Sequence, residues 1–162
     1  MVEALDRGVH FDIGHGINFC FDIARKMMAA GVLPNTISSD VHGDFNGYHD
    51  DSLLDYSLCG AMTKLWALGM SIEDVILRTT LNPAKILREE DEIGTLAVGS
   101  RADITVLDRA SDPWVMRDAR GEDLPVAERL VPALVVRAGE VIEPHRRLLR
   151  DVCEADYAQA AE

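Results

Sequence analysis

Cysteine is scarce in this sequence. Cys20, Cys59 and Cys153 are odd in number, far apart and without a C-x-x-C pair, which excludes a disulfide framework and a cysteine zinc site. Cys20 and Cys59 fall within apolar helical patterns and read as core residues. Positive charge is scarce too: 16 Lys and Arg face 28 Asp and Glu, a formal net charge of −12. Nucleic-acid binding draws on clustered Lys and Arg that release counterions, and the basic clusters here are as short as Arg25-Lys26 and Arg146-Arg147. No nucleic-acid partner is expected. No apolar run reaches the roughly 18 residues of a spanning helix, and the N-terminus lacks the basic-then-apolar order of a signal peptide. A chain without a membrane partner, placed in the cytoplasm, is the expectation. Also missing are G-x-S-x-G, a Walker loop, H-E-x-x-H and a dinucleotide fingerprint; "GHGINF" is no phosphate loop, because no Lys-Ser or Lys-Thr follows it.

What is present suffices for a globular fold. With 162 residues, 48% of them hydrophobic and 27% charged, the chain can bury a real core. Val9, Phe11 and Ile13 share one face of a short apolar run stopped by Gly14, as in a strand. A helix follows, with Asn18 as N-cap, Phe19, Ile23, Met27 and Ala30 at helical spacing, and Gly31 with Pro34 as its stop. "TISSD", Thr36 to Asp40, is a second strand. Strand, helix and strand make a β-α-β unit with the strands parallel. A polar loop, Val41 to Asp51, leaves the second strand at the end where ligand-binding loops gather in parallel α/β folds. Three helices are then expected: one opened by Ser52 with Asp55, one by Ser71 with Asp74, and a short one by Asn82-Pro83.

After Glu92 the period shortens to two. Ala102, Ile104 and Val106 share a strand face, and "ALVVRAGEVI" reads as a hairpin turning at Ala138-Gly139. Between them Arg109 to Arg129, charged and holding Pro113 and Pro125, reads as a long exposed loop. Residues 1–90 thus form a βα layer, 91–145 a small antiparallel layer and 146–162 a tail that could end in a helix. Two parallel strands cannot close a barrel or cover both faces of an open sheet. Further elements upstream, self-association or a partner chain are therefore expected to complete the layer.

Two residues stand where chemistry would. Asp40 closes the second strand, so its carboxylate should project from the rim, able to bind a divalent metal and to move a proton; an Asp capping the following turn is the reading that local sequence alone favours. His15 holds the same place after the first strand, between two glycines that suit a site or any tight turn. His42, Asp44, His49, Asp50 and Asp51 enrich the loop in possible ligands, Asp50 and Asp51 suiting a solvated face. His10 and His145 read as structural or exposed.

Taken together, "RGVHFDIGHG", "PNTISSDVH", "MTKLWALGMSIEDVILRTTLNPAKIL" and "IGTLAVGSRADITVLD" resemble the C-terminal part of the amidohydrolase superfamily, in its dihydroorotase-like deacetylase branch. The resemblance implies an α/β fold: the last two strands of a (β/α)₈ TIM barrel with their following helices, plus part of the accessory β-sandwich. It implies hydrolysis of an amide, lactam or acyl bond of a small molecule by water activated on one or two zinc-type ions. Asp40 would be the metal-binding, proton-shuttling aspartate of the eighth strand, and His15 and His42 would contact substrate. The family's other ligands, an H-x-H pair, a carboxylated lysine and two histidines, belong to earlier strands, and no two histidines here are spaced H-x-H. The chain is thus expected to be inactive alone. A non-catalytic interaction module, or one half of a split enzyme, is the competing expectation.

Overall fold

The computed structural model describes residues 2–15, 18–40 and 57–142. A short helix α1 (Val2–Asp6) precedes strand β1 (Asp12–Gly14), helix α2 (Phe21–Ala29) and strand β2 (Thr36–Ser38). The strands pair in parallel, Asp12 with Thr36, Ile13 with Ile37 and Gly14 with Ser38. The β-α-β unit is therefore present, because a parallel pair needs a crossover and α2 provides it. β1 is shorter than its apolar pattern: Val9 lies before it and is 44% exposed. Alternation gives the pair two faces. Ile13 and Ile37 meet the core, whereas Asp12, Gly14, Thr36 and Ser38 share the opposite, polar face.

Helix α2 departs from its sequence signal. It starts after Cys20 rather than at an Asn18 cap, and no local side chain caps it. The N–H of Phe21 is taken instead by Asp118, 97 residues away, at 2.9 Å. Its buried residues are Phe21 and Ala24; Ile23 and Met27, of the apolar helical spacing, line an open groove of about 360 Å³ with Phe11, Ile13 and Pro34. The apolar stripe is wider than the face the core can receive. Cys20 and Cys59 are likewise half-buried rather than core, Cys20 because it sits at the helix N-cap.

Helices α3 (Leu58–Ala67), α4 (Ile72–Thr79) and α5 (Leu81–Leu87) follow, with α3 and α4 packed on β2. Ser57 caps α3 by accepting the Gly60 N–H at 2.9 Å, while the Ser52 and Asp55 signal lies outside the described residues. The Ser71 and Asp74 signal is realised: Ser71 Oγ accepts the Asp74 N–H at 3.1 Å and donates to Asp74 Oδ2 at 2.9 Å. α5 begins one residue before Asn82, with Thr80 as its N-cap. Asn82 lies inside the first turn, its amide donating to the Asn35 carbonyl at 2.8 Å, and Pro83 sits in the same turn, where no intrahelical N–H is lost.

The second layer holds β3 (Ile104–Ala110), β4 (Trp114–Arg117), β5 (Asp123–Val126), β6 (Arg129–Arg137) and β7 (Glu140–Ile142). β3, β6 and β7 form an antiparallel sheet in that order. β6 turns into β7 through Ala138 and Gly139 at φ 50° and 84°, both left-handed, the backbone that suits a two-residue hairpin. The segment that reads as a long loop in sequence contains the β4–β5 hairpin, because proline breaks a strand only where its missing N–H is needed. Pro125 faces Val115 in a two-stranded ribbon, and such edges tolerate the loss.

The hairpin joins the two layers. Met116, Val126 and Leu130 belong to one core with Phe21, Ile37, Leu65 and Val75. Behind it, the Leu130 N–H donates to Thr63 Oγ1 of α3 at 3.0 Å in a buried setting. His145 and the expected tail helix lie outside the described residues. No helix among the described residues is long and apolar enough to cross a membrane.

Candidate functional site

The end of the parallel pair is built by alternation and by one glycine. Gly14 lies beside Ser38, and the chain leaves β2 through Asp40 at φ 52°, a left-handed conformation that Asp tolerates better than most residues. A Cβ placed on Gly14 would overlap the Cβ of Asp40, and would lie 3.1 Å from Asp40 Cγ and 3.1 Å from Ser38 Oγ. The side chain of Asp40 therefore lies over the last residue of β1, in space that only glycine leaves open. Asp40 is exposed; His15, next after Gly14, is buried at 3% exposure. The structure thus brings Asp40 and His15 to the same end of adjacent strands, as their positions in sequence implied. His42 lies outside the described residues, as do His49 and the acidic residues of that loop.

One step down the same face, the Asp12 carboxylate accepts the Thr36 hydroxyl at its Oδ1 and the Ser38 hydroxyl at its Oδ2, both at 2.6 Å. These charge-assisted bonds tie β1 to β2 beyond the backbone ladder and hold the Ser38 hydroxyl below the Asp40 cradle. The polar face therefore runs Asp12, Ser38, Asp40 toward the rim. Sequence reasoning missed Asp12, although its alternation with Phe11 and Ile13 marks it as facing away from the core.

Sequence reasoning missed Lys64 as well. It is 2% exposed on α3, with Nζ 5.7 Å from the Phe19 ring centroid and 5.9 Å from that of Phe21, a setting where aromatic faces favour a cation. The signal was a charge inside the apolar run "AMTKLWALG". Phe19 and Phe21 flank the start of α2, so the ammonium lies beside that helix start.

A metal site needs several converging donors. Among the described residues no group of three or more His, Cys, Asp or Glu could hold a metal ion. Asp40, cradled on Gly14 and exposed at the rim, has the chemistry of one oxygen ligand, and the described residues supply no group that would complete a site around it.

Comparison with known proteins bears on this geometry. The sequence profile of the amidohydrolase family matches residues 62–142. A deacetylase of Agrobacterium fabrum is 34% identical over 144 residues, 88% of this chain and 34% of that protein. A deacetylase of Brucella anthropi is 33% identical over the same span, and one of Enterococcus faecalis 27% identical over 142 residues. Among solved structures, an adenine deaminase superposes with a TM-score of 0.77 at 27% identity, covering 88% of this chain and 38% of its own. A dihydroorotase superposes at 0.74 with 32% identity, covering 87% and 37%. The chain spans about a third of the length of the curated relatives it matches.

Proposed function

The chain belongs to the amidohydrolase family, and from that premise we propose that it forms part of a metal-dependent hydrolase splitting an amide, lactam or acyl bond of a small molecule. The observation that carries this is the Asp40 carboxylate, laid over Gly14 at the end of a parallel strand pair, with His15 next in the chain after Gly14. In a complete (β/α)₈ barrel of about 250 residues, β1 and β2 would be the last two strands, and ligands gather at the end where Asp40 stands. The antiparallel layer would be part of the accessory β-sandwich.

One or two zinc-type ions, when bound, supply a water acidic enough to attack near neutral pH. Asp40 would give one ligand oxygen and hold the proton released at the rim, within reach of a leaving nitrogen. His15 and His42 would contact the substrate. A lone carboxylate binds zinc weakly because affinity rests on several donors, so the chain alone would lack turnover. Deacetylation is the reaction named for the relatives in Agrobacterium, Brucella and Enterococcus, which makes N-acetyl substrates the first to try.

A second reading has an observation of its own. The apolar groove beside β1, lined by Phe11, Ile23 and Met27, suits docking of another βα unit, as in a split enzyme or a non-catalytic module. One experiment separates these readings: zinc content and hydrolysis of N-acetyl and lactam substrates, for the chain alone and joined to the upstream part of the Agrobacterium deacetylase. Turnover only in the joined protein supports the hydrolase. Tight stoichiometric zinc with turnover in the chain alone contradicts the incomplete site, and a joined protein that folds without turnover favours the module.

A further inference from the structure

We infer that Asp118, in the turn of the β4–β5 hairpin, is a positioning residue for the rim: it clips the backbone just after His15 to the second layer. Its consequence for catalysis rests on the hydrolase reading of His15; its structural content does not.

The turn is built around one carboxylate. Asp118 is 3% exposed. Its Oδ1 accepts the N–H groups of Arg120 at 2.8 Å and Glu122 at 2.9 Å, while its own N–H donates to the Glu122 carbonyl at 3.0 Å. The carboxylate is thereby oriented from within its own turn, and Oδ2 is aimed across at the Phe21 N–H, 2.9 Å away. The next residue adds a second point of attachment, the Ala119 N–H donating to the Phe19 carbonyl at 2.8 Å.

Residues 19 and 21 are therefore gripped from the same turn by two hydrogen bonds, one of them charge-assisted and placed at a helix N-terminus, where negative charge is favoured. The segment carrying His15 is fixed at one end by the pairing of Gly14 with Ser38 and at the other by this clip, only four residues after His15. His15 thus has a paired strand residue immediately before it and a hydrogen-bonded residue four positions after it. A carboxylate is required because both oxygens accept N–H groups; an amide would point its NH₂ at one of them.

Diethyl pyrocarbonate labelling of the folded chain, read by mass spectrometry, tests this with exposed His10 as internal reference. Losing a helix cap is expected to raise local opening by about fivefold, so Asp118→Ala should raise His15 labelling relative to His10 by that order. Thr63→Val, which cuts a different inter-layer bond, the one from α3 to Leu130, should leave the ratio within about twofold of the parent, because neither hydrogen-bond partner of Thr63 belongs to residues 19–21. Should Asp118→Ala not fold, Asp118→Asn, which keeps one acceptor, carries the same test with the same direction. An unchanged His15 ratio in the Asp118 variant, or an equal rise in Thr63→Val, overturns the inference. The labelling is indifferent to whether the protein hydrolyses anything, so an absence of turnover in the joined protein would sink the hydrolase reading without touching this one.

Discussion

Replacing Gly14 by Ala puts a methyl group where the Asp40 Cβ already lies. Because the clash is with a Cβ fixed to the backbone, rotation of the carboxylate cannot relieve it, and either β1 or the turn after β2 must shift. Overpacking of this kind costs about 1–3 kcal/mol. Asp40→Gly removes the obstructing Cβ and also a left-handed strain of about 1–2 kcal/mol, offset by the roughly 0.5–1 kcal/mol that glycine's extra freedom costs, so alone it should change stability little. In that background both Asp40 atoms nearest the new methyl are gone while the Ser38 hydroxyl stays at 3.1 Å, and most of the penalty should disappear. The expected coupling is about 1–2 kcal/mol, well outside the roughly 0.3–0.5 kcal/mol within which independent sites add. Urea unfolding of the four proteins, followed by fluorescence of Trp66 and Trp114, measures it. Additive effects would refute the placement of Asp40 over Gly14, and with it the rim geometry.

Thr63→Val should destabilise by about 1–3 kcal/mol, the cost of leaving the buried Leu130 N–H without its acceptor, measurable as a lower urea midpoint at constant slope. Ala138→Asn should stabilise by about 0.5–1 kcal/mol, because Ala138 is exposed at φ 50° and Asn before Gly139 suits a turn with two left-handed residues; a lower thermal midpoint would argue against that turn. Glu122→Gln, which removes the half-exposed 2.7 Å pair with Arg25, should cost less than about 1 kcal/mol and fade with added salt, so a larger loss would show the pair to be more than a surface contact.

How much could be read in the sequence followed the range of the interaction responsible. Ser71 and Asp74 are three residues apart, and their reciprocal bonds appear as written. The Ala138-Gly139 turn is equally local, and the β-α-β unit was legible because a parallel pair must be joined by a crossover. The cap of α2 was not, since the acceptor stands 97 residues away and Asn18 offered a plausible local substitute. Prolines hid the β4–β5 hairpin, because their cost depends on whether a strand is an edge, which only the fold decides. At the site, Asp40 and His15 were visible as residues at strand ends. The role of Gly14 as the floor under Asp40 depended on strand register, which no single strand reveals.

The central claim is that the Asp40 carboxylate takes part in the hydrolysis rather than capping a turn. The most direct measurement is kcat for an N-acetyl substrate in this chain joined to the upstream part of the Agrobacterium deacetylase, compared between the parent and its Asp40→Asn variant. A positioned proton-transfer group contributes about 10²–10⁴-fold, so turnover in the variant is expected to fall by at least about a hundredfold while the fold, read by urea unfolding, stays intact. Equal turnover in the two proteins would contradict the assignment.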